Sequence, residues 1–291
     1  MSVETYGAQE SRIYFVAEST YGVTPASPAM LGINAEESDP LVDPALIGVM
    51  GLGSRDLQAL YAGLRKITLK IPNKLSSLAP ISLIQHVQTL SSLSIQTIYY
   101  KGLWSAPTNI ISYLFSGCKV NKLTVECKLE DVIKSTVELL GQSCTRLTAL
   151  IQNATYGDFV GAVPFNSSFV QRGVSGGTGL VTLTDITDWK FEIDNNLKPV
   201  GTIQSGGTGL ILKYLRERNR KLSGELTMEF ENDSEMQDFL LDTEFSLSFG
   251  LGSTNTALFT YCKWDQIETP DKMDDLISVK AKFKARNLFI S

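Results

Sequence analysis

The chain has 291 residues, 43% apolar and 20% charged, with a net charge of −5 and a sequence pI near 5.1. This is the composition of a folded protein, not a disordered one. Its acidic balance argues against tight nucleic-acid binding, which needs a basic surface to displace counterions.

No apolar run reaches the roughly 18–20 residues of a membrane span. Met1 to Thr5 lack the basic-then-apolar pattern of a secretory signal, so the expectation is a protein made and used without secretion. Taken in chain order, a strand at 13–17 comes first. A loop over 20–62 follows, holding Pro25, Pro28, Pro40 and Pro44 with little periodicity. Period-two alternation then sets Ile67, Leu69 and Ile71 against Lys66, Thr68 and Lys70, the mark of a half-buried antiparallel strand.

Ile81, Ile84 and Val87, widened by Leu83 and Leu90, predict a helix over 80–90 with Pro80 at its first position. Strands are expected at 93–100, 119–127 and 131–140, with a third helix at 108–115. A second loop spans 153–187. Trp189, Phe191 and Ile193 then alternate with Lys190, Glu192 and Asp194. Leu222, Gly224, Leu226, Met228 and Phe230 do so with Ser223, Glu225, Thr227 and Glu229. A short helix at 234–241 has Ser234 as its expected N-cap and Gln237 completing a capping box. Strands at 245–251 and 256–263 precede Val279, Ala281, Phe283 and Ala285, which alternate with Lys280, Lys282, Lys284 and Arg286.

Two repeats are visible. Ser175-Gly176-Gly177-Thr178-Gly179-Leu180 recurs as Ser205-Gly206-Gly207-Thr208-Gly209-Leu210. The order of elements also recurs: Arg65-Lys66-Ile67 and Arg220-Lys221-Leu222 each open a strand followed by a helix and another strand. The expectation is two copies of one β-rich unit, residues 1–150 and 151–291, with the boundary in 145–185.

Candidate chemistry is sparse. His86 is the sole histidine, which excludes sites needing two. Cys118, Cys127, Cys144 and Cys262 form no C-x-x-C pair and read as buried thiols. A phosphate loop needs Lys then Ser/Thr after its last glycine, where Leu180 and Leu210 stand, and Gly48 to Gly53 lacks the lysine too. Glu36-Glu37 and Asp274-Asp275 read as solvated loop carboxylates. No catalytic, cofactor or metal residue is assigned, and no enzyme is expected. The basic face Lys280, Lys282, Lys284, Arg286 reads as solvent-facing or as a partner for acidic groups of an adjacent subunit.

Four segments carry a family resemblance: Glu18 to Pro25, Ile47 to Asp56, Gly117 to Val125 followed by Val132 to Leu140, and Trp189 to Leu197 with its terminal asparagine turn. In this order they resemble tail tube proteins of tailed bacterial or archaeal viruses with long non-contractile tails. The duplicated SGGTGL departs from the family pattern. The resemblance implies a mainly β fold, a β-sandwich that forms a barrel, with short flanking helices, here duplicated. It implies a virion structural protein, made in the host cytoplasm, that partners itself in stacked rings and meets other tail proteins. Genomic DNA would pass transiently through the bore, along inward positions that are polar or acidic, and no membrane is involved.

The resemblance further implies four strands per unit and six units per ring, hence 24 strands. At about 4.8 Å spacing and about 40° tilt the barrel is roughly 48 Å across, with a bore of roughly 38 Å. Two units per chain would make three chains a pseudo-hexameric ring, and one unit per chain would need six. The loops 20–62 and 153–187 are expected to order when the next ring docks, at about 1–2 kcal/mol per residue. Competing readings are a tail terminator or decoration protein, and a monomeric binding module with an aromatic patch of Tyr99, Tyr100, Trp104 and Tyr113.

Overall fold

The computed structural model of the chain describes residues 5–53, 55–76, 79–159, 161–203, 210–231, 233–252, 255–269 and 277–291, without the side chains of 79–82. The second SGGTGL up to Gly209, and Asp274-Asp275, lie outside the described residues.

The chain opens with β1 (Ser11–Ala17), β2 (Ala29–Gly32), β3 (Asp39–Asp43), β4 (Ile47–Val49), β5 (Ala59–Tyr61) and β6 (Lys66–Lys74). Helix α1 (Ala79–Thr89) leads to β7 (Leu93–Lys101), β8 (Thr108–Lys128), β9 (Lys134–Gly141) and β10 (Ser143–Leu147). Then come β11 (Thr155–Tyr156), β12 (Val170–Val174), β13 (Val181–Thr182), β14 (Ile186–Asp194), β15 (Lys198–Val200), β16 (Tyr214–Arg216) and β17 (Lys221–Glu229). Helix α2 (Ser234–Leu240), β18 (Phe245–Gly250), β19 (Thr256–Glu268), β20 (Ser278–Ala285) and β21 (Asn287–Ile290) complete it.

The fold is mainly β, as expected, and has two layers. One is a continuous antiparallel sheet in the order β3-β6-β9-β8-β14-β17-β20-β19. Facing it are two smaller sheets. One is β2-β1-β7-β8-β10 and the other β13-β12-β18-β19-β21. Strands β8 and β19 belong to both layers. Each pairs in its small sheet with its first half, bends, and enters the large sheet with its second.

The bend has the same construction twice. The β7–β8 register slips between Leu93↔Cys118 and Ile95↔Phe115, and the β18–β19 register between Phe245↔Cys262 and Leu247↔Phe259. A bulge places one residue in the left-handed region and turns the strand: Gly117 at φ 64° and Tyr261 at φ 55°. A second bulge follows in each, between Val120 and Lys122 and between Trp264 and Gln266. A left-handed residue also follows each helix, Leu90 directly after α1 and Asp242 two residues after α2, both at φ 53°.

The predicted helix at 108–115 is instead the first half of the 21-residue β8. This stretch, paired with β7 and β10, does not alternate in burial: Ser112 and Phe115 are buried three apart, which mimics helical spacing. There Phe115 packs in the core and Ser112 is buried, its hydroxyl accepting from Gln96 Nε2 at 3.1 Å. The two expected loops contain short strands, β2 to β5 and β11 to β13. Asp233, not Ser234, holds the N-cap position of α2. Its side chain makes no capping bond to the backbone, and Gln237 donates to it from the side chain at 3.0 Å. Pro80 is the second residue of α1.

Alternation buries one face of every long strand in a single core. Trp189, Phe191, Phe249, Phe259 and Phe283 stack there with ring centroids 5.2–6.0 Å apart. Gly224 sits on this inward face because a Cβ would meet the Phe283 ring and Lys190 carbonyl, both at 2.5 Å. Tyr14, Tyr100, Trp104 and Tyr156 form a separate cluster. Tyr100 is buried and Trp104 half-buried in it, while Tyr99 and Tyr113 pack edge to face. The four aromatics of the expected exposed patch are thus occupied within the chain.

Cys118, Cys127 and Cys262 are buried and Cys144 half-buried, all as free thiols. Burial pushes the thiols of Cys127 and Cys262 up to about 11 and about 12. Among the described residues no helix is long and apolar enough to cross a membrane, and no three His, Cys, Asp or Glu side chains gather into a metal-binding group.

His86 lies partly buried on α1, with Nδ1 in hydrogen-bond contact with Ser91 Oγ. Burial lowers its pKa below the ordinary 6.5. The unfolded chain therefore takes up the proton first, so stability present above pH 6.5 is lost as pH falls through the folded value. We expect the urea midpoint of the wild type to drop between pH 7.5 and 5 by more than that of His86→Gln. Equal drops would mean that the imidazole does not report its burial.

Candidate assembly site

Three features of the large sheet bear on function: its outer face, its central joint and its two ends. The outer face is polar. Asp39, Lys70, Glu138, Lys122, Asp194 and Lys221 face one another in register across six strands, alternating in sign. Lys134, Glu126, Lys190, Glu225 and Lys282 form a second such row. Opposite charges on neighbouring strands each contribute about 0.2–1 kcal/mol. The Glu192 carboxylate, 3.0 Å from Lys122, holds that ammonium above its ordinary range. The face is thus polar with mixed signs.

Three members of the basic strand face, Lys282, Lys284 and Arg286, have partners within the chain. Lys284 meets Asp265 at 2.7 Å and Lys282 Nζ donates to Gln266 Oε1 at 3.2 Å. Arg286 lies 4.0 Å from Glu244 and over the Tyr261 ring.

The joint is where β8 meets β14, from Lys122↔Asp194 to Lys128↔Asp188. The asparagine turn after β14 anchors it. Asn195 is 1% exposed; its side-chain nitrogen donates to the carbonyls of Val87 at 3.1 Å and Val120 at 3.0 Å. Its backbone N–H donates to the Asn121 carbonyl at 2.8 Å. Asn196 is left-handed at φ 49°, with its N–H on the Asp194 carboxylate at 2.8 Å.

The β15–β16 hairpin leaves this turn as an arm that lies back over the first half of the chain. Leu197 N–H donates to Asn121 Oδ1 at 2.8 Å, and Gln142 Nε2 donates to the Leu212 carbonyl at 2.8 Å. Lys119 pairs with Glu217 at 3.2 Å, and Arg65 N–H reaches the Leu210 carbonyl at 3.1 Å.

Two further sequence motifs find structural roles. Glu18, buried, accepts from Ser94 Oγ at 2.7 Å and Gly117 N–H at 2.8 Å with one oxygen, and from Gly22 N–H at 2.8 Å with the other. It ties the turn after β1, where Gly22 is left-handed at φ 75°, to the bend of β8. Residues 175–180, the first SGGTGL, make the matching turn after β12. There the Ser175 carbonyl accepts from Tyr261 N–H at 3.0 Å and Ser246 Oγ at 2.8 Å.

The large sheet ends on β3 at one side and on the second half of β19 at the other. Among the described residues, neither has a strand on its outer edge. Open edges are templates for pairing with another chain. A two-layer β building block with a polar sheet face and two open edges belongs to the class of proteins that assemble.

A family model described as phage tail tube protein matches residues 8–285. The chain belongs to the phage tail tube protein family and is a structural, tube-forming component of the virion tail. Several solved structures are similar in fold. The tail of an empty gene transfer agent particle with C6 symmetry is 10% identical, covering 45% of this chain and 98% of that one, with a TM-score of 0.37. The SPP1 tail tube is 9% identical over 51% of this chain and 82% of its own, with a TM-score of 0.39. An Hcp protein is 9% identical over 48% and 98%, with a TM-score of 0.29. No curated protein sequence matches the chain.

Proposed function

We propose that the chain comprises two tail-tube units, within residues 1–150 and 151–291, and that three chains close a pseudo-hexameric ring. Stacked rings then form the conduit of a long, non-contractile tail, with no chemistry of their own. The observation that carries this reading is the pairing order on either side of the joint. Strands β3, β6, β9 and β8 are linked in the same sequence as β14, β17, β20 and β19, with matching bulges and left-handed residues. The joint would then be the contact between units, made once inside each chain and once between chains. Eight strands from each of three chains supply the 24 of a barrel about 48 Å across.

The polar face would line the bore. Its alternating charges lie about 5 Å apart, so their fields cancel within a Debye length of about 8–10 Å. A passing duplex then meets no basic stripe on which to exchange counterions. Other tail proteins would meet the terminal rings.

Electron microscopy of the purified chain, at low and high concentration, tests the reading. Hollow filaments of uniform width with three chains per ring support it. Six chains per ring would overturn the two-unit reading, and isolated rings alone, even when concentrated or seeded with viral tails, would point to a tail terminator.

A further inference from the structure

The hairpin β4–β5 occupies the same place in the first half of the chain as β15–β16 does in the second. Each follows an Asp whose carboxylate accepts from the N–H two residues on, Asp43 from Ala45 and Asp194 from Asn196, both at 2.8 Å. Ala45 and Asn196 are both left-handed, at φ 44° and 49°. Gln58 N–H donates to the Val49 carbonyl at 2.8 Å, as Lys213 N–H does to Val200 at 2.9 Å. Three leucines therefore match three leucines: Leu46 with Leu197, Leu57 with Leu212, Leu60 with Leu215. Their surroundings differ completely. Leu197, Leu212 and Leu215 are 8%, 2% and 3% exposed, whereas Leu46, Leu57 and Leu60 are 61%, 51% and 60% exposed.

The geometry points to an intermolecular dock: the β4–β5 arm of one chain lies over the second half of another copy, beside β19 and β20, as the β15–β16 arm lies over the first half of its own. This rests on the two-unit reading above. The bend and bulges of β8 and β19 place Lys263, Asp265 and Arg286 where Lys119, Asn121 and Gln142 hold the internal arm. Leu46 N–H would then meet the Asp265 carboxylate, as Leu197 N–H meets Asn121. The three leucines would leave water against the second half of the neighbour.

The same correspondence fixes a strand register. Lys122↔Asp194, Leu123↔Ile193 and Thr124↔Glu192 at the internal joint become Gln266↔Asp43, Ile267↔Val42 and Glu268↔Leu41 between chains. Ile267 and Val42 meet on the apolar side of the sheet. One difference is built in: Pro44 stands where Asn195 does, without an N–H. The intermolecular joint therefore lacks the asparagine clamp, which suits a contact made only on assembly.

Two experiments on the full chain test this. Leu57→Asp with Leu60→Asp should leave the monomer as soluble and thermally stable as wild type, because both side chains already face water. It should raise the concentration needed for filaments at least about tenfold, since each lost burial of a leucine weakens the contact. Asp43→Cys with Gln266→Cys should give a reducible, covalently closed ring in oxidised filaments, whereas Pro40→Cys with Gln266→Cys, out of register, should not. If wild type forms filaments and the aspartate variant does so at the same concentration, or only the out-of-register pair cross-links, the arm dock is wrong while the tube reading stands. If wild type forms no filaments at all, both fall.

Discussion

Phe191→Ala is expected to cost about 3–5 kcal/mol, the range for truncating a fully buried aromatic. Phe191 is fully buried and stacks on Trp189 at 5.7 Å with planes 3° apart. It also contacts Phe249 at 5.4 Å and Phe259 at 5.2 Å, and so bridges the large sheet to the second small sheet. Truncation removes both the transfer free energy and the contacts of rings that cannot collapse into the space, since strands on both layers hold them. For a chain of this size the melting temperature should fall by roughly 10 °C. Phe191→Leu should recover about half of the loss. An alanine variant melting within a degree of wild type would show that the two layers are not joined through this cluster.

Asn195→Ala should be the most damaging single change at the joint. It strips the donor from two buried carbonyls, that of Val87 in the last turn of α1 and that of Val120 beside the β8 bulge. Helix-end carbonyls lack an intrahelical partner and need one from elsewhere. Leaving buried acceptors unmet costs about 1–3 kcal/mol each, so a loss of about 2–6 kcal/mol is expected. Asn195→Asp should be worse, because a carboxylate would face the two carbonyls. Chemical unfolding of the three proteins at pH 7 gives the order. Protease cleavage of the β15–β16 arm should accelerate in the variants, because Asn195 anchors its root. If Asp were tolerated as well as Asn, a different group would have to satisfy those carbonyls.

Most long strands were legible in the sequence because each has one face on the core and one on water. Ile67-Thr68-Leu69-Lys70-Ile71 can be read no other way once period two is recognised. The misreading at 108–115 has a different cause: burial there does not alternate, since Ser112 and Phe115 are buried three residues apart with half-buried residues between them, a spacing that reads as helical. The SGGTGL repeat is no guide to the order of elements. Its first copy closes the turn after β12, whereas the second falls, in sequence, between β15 and β16.

The correspondence on which the two-unit proposal rests was present but faint. Asp43-x-x-Leu46 and Leu57-x-x-Leu60 before Arg65-Lys66 match Asp194-x-x-Leu197 and Leu212-x-x-Leu215 before Arg220-Lys221. A backbone pairing scheme tolerates almost any alternating side chains, so only the turn residues and the arm leucines keep a trace of it.

By itself the sequence determined the β class, the inward side chains of the long strands, the helices near 80–90 and 234–241 and the overall acidic balance, all from local periodicity and composition. Only the tertiary structure decided which strands neighbour one another, where β8 and β19 cross between layers, and that Asp39 through Lys221 form a charge-alternating row. Pairing across a sheet joins residues far apart in the chain, and no local pattern records the partner. The same reason hid the proposed arm dock: an exposed leucine in an arm reads as loop until its buried counterpart is seen in place.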